Sequence, residues 1–236
     1  RPVTLSVDDY FLDRDKCPRD EKGDYDFEHI QAVDLPLLNR HLVDLLNGVE
    51  VPLPRFSFET GTRMPQTHPL RLEDDQILIV EGIHCLNDKL TELVPSHQKF
   101  RIYISALTQL SVDDHNRIHT TDTRMIRRMV RDARYRNYSA SQTLNRFPSV
   151  TRGEKRWIFP FQEKADVLIN SALIYELAVL KKEAIPLLER INPGDPAWSE
   201  AIRLLTFLNL FSDVPSQEIP PTSILREFIG GSSFVY

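Results

Sequence analysis

Cysteine is scarce in this chain: Cys17 and Cys85 are its only two among 236 residues. They stand at no metal-ligand spacing, so neither a zinc site nor a disulfide framework is indicated. Two free thiols in a reducing cytoplasm is the reading that fits. Long apolar runs are missing too, since none reaches the roughly 20 residues that cross a bilayer. The opening Arg-Pro-Val-Thr-Leu-Ser-Val reads as a strand and not as a secretory leader. Excess positive charge is also absent: 29 Lys and Arg face 34 Asp and Glu, a formal net charge of −5. That balance argues against bulk binding to nucleic acid or a membrane surface, while leaving room for a local basic cleft. Neither an internal repeat nor a low-complexity tract is present. What remains is an ordinary globular composition, 41% hydrophobic and 27% charged, sized for one large domain or a domain with appendages.

Val3–Val7 is a β-rich run that ends in Asp8-Asp9, followed by a polar loop over 13–24. From Ala32 to Leu46 the apolar residues fall at helical spacing, and Gly48 is placed to end that helix. The segment 51–58 contains Pro52 and Pro54, which restrict it to an edge strand or an extended loop. Ile77–Val80 is an uninterrupted apolar run, predicted to be a strand buried on both faces of a parallel sheet. Phe100–Ile104 and Ala165–Ile169 are two more predicted strands, and helices are predicted over 122–136, 173–190 and 197–211. A short tail, 221–236, closes the chain. Strands alternating with helices imply βαβ units and an α/β layered sheet.

Three features could carry chemistry. Asp8-Asp9 lies at the carboxyl end of a predicted strand, where ligands bind in open α/β sheets. A carboxylate there could take a proton from a substrate hydroxyl attacking phosphorus, although a solvated loop pair reads equally well from two adjacent acids. Ile77-Leu78-Ile79-Val80-Glu81-Gly82 ends an apolar strand in an acid, the arrangement that anchors Mg²⁺ beside nucleotide phosphates. A buried strand ending at a surface acid is its plain alternative. The set Arg124, Arg127, Arg128, Arg131, Arg134 and Arg136 puts Arg124, Arg128 and Arg131 on one helical face. Such a helix could close over a transferring phosphoryl group, present a solvated face paired with acids such as Asp132, or touch RNA. Aromatic residues Tyr10, Phe11, Tyr25, Phe27, Phe56 and Phe58 cluster near the front, suited to stacking on a base or to filling a core. His29 and His84 have no metal partner at ligand spacing and read as structural.

In order along the chain, these segments resemble the uridine kinase and phosphoribulokinase-like family of P-loop kinases. Leu5-Ser6-Val7-Asp8-Asp9-Tyr10-Phe11 is similar to the family's strand bearing the proton-accepting Asp, with Asp8 on that position. Asp26-Phe27-Glu28-His29-Ile30-Gln31-Ala32-Val33-Asp34 is similar to its Asn-Phe-Asp-His-Pro-Asp-Ala-Phe-Asp segment, which puts Glu28 on the acid that holds the ribose. Pro54-Arg55-Phe56-Ser57-Phe58 matches the Pro-x-Tyr-Asp-Phe segment lining the base pocket, and Glu81 falls on the Walker-B-type acid. Arg128 and Arg131 fall on two lid arginines that contact phosphate. The stretches 112–117, 151–160 and 224–231 look like a bacterial branch whose kinase domain often follows a region similar to part of threonyl-tRNA synthetase.

The resemblance implies an α/β fold: a P-loop kinase-type parallel sheet flanked by helices, with an arginine-rich helical lid and a helical C-terminal extension. A kinase core over 1–171, its lid at about 108–160, would carry a helical extension over 172–236. It implies ATP and Mg²⁺, and phosphorylation of a nucleoside 5′-hydroxyl, uridine first. Asp8, Arg128 and Arg131 would be catalytic; Asp9, Phe11, Glu28, Phe56 and Phe58 would bind substrate; and Glu81 would serve the metal. It also implies a cytoplasmic enzyme whose partners are a nucleoside and ATP, with no membrane and no nucleic acid, and is compatible with a homo-oligomer. Another small alcohol, such as a pentose phosphate or a pantothenate-like compound, is the same-class alternative. A non-catalytic nucleotide- or RNA-associated module is the different-class one.

The departures are specific. Phe56 stands where uridine–cytidine kinases have a base-contacting tyrosine, Gly61 where they have a histidine, and Tyr138 where they have a lid arginine. No Gly-x-x-x-x-Gly-Lys-[Ser/Thr] occurs in the sequence. Since Arg1 begins within what resembles the family's second strand, the expectation is that a strand, P-loop and helix lie upstream, cleaved, omitted or supplied by another chain. The 236 residues alone should then be inactive.

Overall fold

Each element begins where the local chemistry starts it. The computed structural model describes residues 1–21 and 23–234, so the last two residues of the expected tail lie outside the described residues. β1 (Pro2–Ser6) leads through a tight turn over Val7–Tyr10 and a polar loop to α1 (Leu35–Leu46). α1 starts three residues later than the apolar spacing suggested, because Asp34 caps it: its Oδ1 accepts the Leu37 N–H at 3.1 Å. Pro36 sits in the first turn, where its missing N–H costs nothing. Gly48, at φ 71°, ends the segment as expected.

β2 (Val51–Leu53), β3 (Phe56–Ser57), β4 (Thr62–Arg63) and β5 (His68–Leu70) follow, then β6 (Ile77–Glu81) and β7 (Ile102–Ser105). α2 (Thr120–Tyr135), α3 (Ala140–Trp157), β8 (Val167–Asn170), α4 (Glu176–Leu188), α5 (Trp198–Leu208) and the single turn α6 (Arg226–Ile229) complete the order. β1 and β6 pair in parallel, with Leu5 opposite Val80 and Ser6 opposite Glu81. β2 pairs antiparallel with β5 and β3 with β4, while β7 pairs with β8. This is the α/β fold that the alternation implied.

The chain divides into two compact units. The first combines Arg1–Tyr103 with Ser149–Leu168; the second combines Ile104–Pro148 with the chain from Ile169 onward. In the first, Leu5, Val7, Tyr10, Leu38, Leu42, Leu45, Val51 and Leu90 form one core between the β1–β6 sheet and α1. Tyr10 is fully buried there and bonded through its hydroxyl to His41 Nδ1 at 3.0 Å. In the second, Ile126, Met129, Leu144, Phe147, Leu177, Leu180, Leu204 and Phe228 form the core, with α4 packed on α2 and α5.

Burial on both faces of the 77–80 strand is a reading the structure corrects. Leu78 and Val80 pack toward the α1 core, whereas Ile77 and Ile79 are 72% and 46% exposed. Alternate residues of a strand face opposite sides, and within this unit one side alone carries a described core. α3 was not anticipated as a continuous helix, because Pro148 stands in its middle and reads locally as a break. Among the described residues, no helix is long and apolar enough to cross a membrane.

Candidate active site

The site is built where β1 and β6 end side by side. Gly82 makes this possible: a Cβ there would lie 2.7 Å from Val7 Cβ, so only glycine lets the two chain ends approach this closely. Asp8 follows Val7 and Glu81 precedes Gly82, which brings both carboxylates to the same edge of the sheet. Their field is felt at Cys85, whose thiol is pushed up to about 12, chiefly by burial and then by Glu81 and Asp8. Glu81 is exposed and Asp8 half-buried.

Asp9, the next residue, holds the scaffold with one carboxylate oxygen. Its Oδ1 accepts the Phe56 N–H at 3.1 Å, pinning β3 to the turn after β1. Phe11, Phe56 and Phe58 then gather into one aromatic group, with ring centroids 5.3–6.1 Å apart and the Phe58 ring 37% exposed. Arg63 fixes the loop under them: its guanidinium donates to the carbonyls of Tyr10 at 2.9 Å and Phe11 at 3.1 Å, and pairs with Asp34 at 3.0 Å.

The segment carrying Glu28 is a chain of short turns. Asp26 Oδ1 accepts the Glu28 N–H at 3.2 Å, and His29 Nδ1 accepts the Gln31 N–H at 3.0 Å. Glu28 lies against Gly153 of α3, where a Cβ would come within 2.3 Å of Glu28 Cβ. His29 stacks edge-on against Trp157, ring centroids 4.3 Å apart. The 151–160 stretch thus backs the acid-bearing loop, a contact no sequence spacing announces. Asp8, Asp9, Phe11, Glu28, Phe56, Phe58 and Glu81 all belong to the first unit.

Arg128 and Arg131 belong to the second. Arg128 Nε lies 3.5 Å from Asp132, and Arg131 pairs with Glu227 at 3.7 Å. Burial and the neighbouring Arg136 weaken the hold of Arg131 on its proton, though a guanidinium stays charged at any working pH.

The Asp8–Glu81 edge of the first unit fits a family of phosphotransferases, and comparison of the sequence with known proteins decides the matter. Residues 5–177 match the family model described as the phosphoribulokinase/uridine kinase family. The chain belongs to that family. A uridine kinase of Clostridium botulinum (strain Okra / Type B1) is 29% identical over 167 residues, spanning 70% of this chain and 72% of that protein. A uridine kinase of Staphylococcus aureus (strain JH9) is 29% identical over 166 residues, with the same two shares. Membership makes this a kinase fold with a parallel sheet, and family-level kinship is with enzymes that phosphorylate alcohols. Among the described residues no three His, Cys, Asp or Glu side chains converge on a metal position. A Mg²⁺ ion that keeps several waters and takes one or two carboxylates fits the Asp8–Glu81 edge; a fully protein-ligated ion does not.

Proposed function

We propose that this chain carries the acceptor half of an ATP-dependent nucleoside kinase, acting on the 5′-hydroxyl and on uridine first. The observation that carries this reading is the convergence of Asp8 and Glu81 at the carboxyl ends of two parallel strands, held by the Val7–Gly82 approach.

Asp8 accepts the proton of the 5′-hydroxyl as that oxygen attacks the γ-phosphorus, and the products are the nucleoside monophosphate and ADP. Glu28 holds the ribose, and the exposed face of Phe58, backed by Phe11 and Phe56, stacks on the base. Glu81 would be the residue to hold Mg²⁺, which when bound would neutralise charge on the phosphates. Arg128 and Arg131 supply further positive charge to the transferring group. The 236 residues contain no Gly-Lys phosphate cradle, so the donor-binding half is not among the groups assigned here.

The test uses the full-length protein with ATP, Mg²⁺ and a panel of nucleosides. Asp8→Asn is expected to lower kcat by about 10²–10⁴-fold, the usual contribution of a general base, while ATP still binds. Absence of phosphate transfer to any nucleoside defeats the reading. In that event a pentose phosphate is the next acceptor to assay.

A further inference from the structure

α3 carries a glycine about one turn before its end at Trp157, a place where alanine would strengthen the helix. A close approach explains it. A Cβ at Gly153 would stand 2.3 Å from Glu28 Cβ and 3.0 Å from Glu28 Cγ, well inside the 3.4–4 Å of ordinary contact. Trp157, four residues on and so on the same helical face, stacks its ring against His29 at 4.3 Å. The consecutive loop residues Glu28 and His29 thus meet successive positions of one helical stripe. Beside them Arg152 pairs with Asp20 of the same loop at 3.2 Å. The loop is held from its own side as well, where Asp26 Oδ1 accepts the Glu28 N–H at 3.2 Å. All of these residues belong to the first unit.

We infer that Gly153 is a positioning residue for the acceptor, setting through Glu28 how firmly the site holds the sugar hydroxyls. This rests on the nucleoside-kinase reading above, in which Glu28 holds the ribose. A methyl group at 153 meets the root of the Glu28 side chain and not its flexible end, so a change of rotamer alone does not relieve it. Helix or loop must retreat by about 1 Å, and a displacement of that size breaks a hydroxyl–carboxylate hydrogen bond or costs a large factor in binding. Asp8 and Glu81 stand on other elements, at the ends of β1 and β6, so the loss falls on the KM for the acceptor before it reaches kcat.

The experiment measures kcat and KM for uridine, 2′-deoxyuridine and 3′-deoxyuridine in the full-length protein with ATP and Mg²⁺. The proteins are the wild type, Gly153→Ala, Glu28→Ala and the double variant. A ratio of two substrates on one enzyme preparation does not depend on how much of that preparation is folded. The wild type is expected to favour uridine over the poorer deoxynucleoside by about tenfold or more in kcat/KM, the scale of one charge-assisted hydrogen bond. Gly153→Ala brings that ratio to about threefold or less by raising the KM for uridine, while the KM for ATP stays within about twofold. In the Glu28→Ala background it changes the ratio no further, because the carboxylate it displaces is gone. A wild-type ratio in Gly153→Ala, or equal further losses in the double variant, overturns the inference and leaves the kinase reading standing. So does an unchanged ratio in Glu28→Ala, which removes the group through which Gly153 acts. If Gly153→Ala yields no folded protein, Trp157→Leu loosens the same helical face without crowding it, and an unchanged ratio there overturns the inference. Transfer to no nucleoside at all removes the kinase reading first and the inference with it.

Discussion

Asp8 and Asp9 are chain neighbours in the turn that follows β1. Asp9 accepts the Phe56 N–H, 47 positions away, through Oδ1, and so helps to set the aromatic group. Asp8 stays at the sheet edge with Glu81. Another single residue sets a pH response. His84 is 1% exposed, and neither ring nitrogen makes a hydrogen bond of normal geometry. Burial lowers its pKa to about 4, with His29 adding to the effect and the Trp157 main chain opposing it. The folded ring is therefore neutral, while the unfolded ring titrates near 6.5. Between those values the unfolded state binds the extra proton, so stability is full above pH 6.5 and falls as the pH drops toward 4. The loss from this one group is about 3 kcal/mol. Urea midpoints measured from pH 4 to 7 should show that limb in the wild type and its near-absence in His84→Gln. Parallel curves for the two proteins would mean that His84 finds a partner in solution.

At the scale of elements, the second unit depends on a buried ion pair. Arg127 on α2 binds Glu176 at the start of α4, with side-chain exposures of 11% and 3%. Arg127 also donates to the Ser171 carbonyl at 2.7 Å, and Glu176 Oε2 accepts the Leu173 N–H at 2.8 Å. Removing one partner strands the other charge out of water, so Glu176→Ala is expected to cost about 3–5 kcal/mol. The more exposed Arg131–Glu227 pair is worth at most about 1 kcal/mol. Chemical denaturation of Glu176→Ala and Glu227→Ala gives the comparison; similar small losses would show that the Arg127 pair is not the anchor. The elements themselves were largely legible. β1, β6, α1, α2, α4 and α5 follow from apolar periodicity and caps, and Asp8, Glu81 and the Phe56–Phe58 run could be picked out by position. What could not be read were contacts between distant segments: Arg14 with Phe58, Gly153 with Glu28, Arg63 with Asp34. Each joins residues whose local sequence carries no mark of the other. α3 escaped because Pro148 hides a helix that tertiary packing of Leu144, Phe147 and Val150 sustains.

The scale of the whole molecule returns to the open face of β6. Ile77 and Ile79 present large apolar side chains to solvent from a strand that, among the described residues, pairs only with β1. Parallel strands are ordinarily covered on both faces, and a two-stranded sheet has little stability of its own. Fully burying an exposed side chain of this size contributes about 1.5–3 kcal/mol, so covering this face would be favourable. A polypeptide of these 236 residues is therefore expected to enhance the fluorescence of an apolar dye such as ANS. It should also self-associate as its concentration rises. Ile77→Thr combined with Ile79→Thr keeps the β-branched shape that strands favour while removing apolar surface, and should lower both signals. The same polypeptide, lacking any Gly-Lys phosphate cradle, should neither bind ATP tightly in calorimetry nor phosphorylate uridine. Micromolar ATP binding by it would require a phosphate site of another design, built from the arginines of α2. A dye response unchanged by the double substitution would move the apolar surface away from β6, and with it the reason for expecting association at that strand.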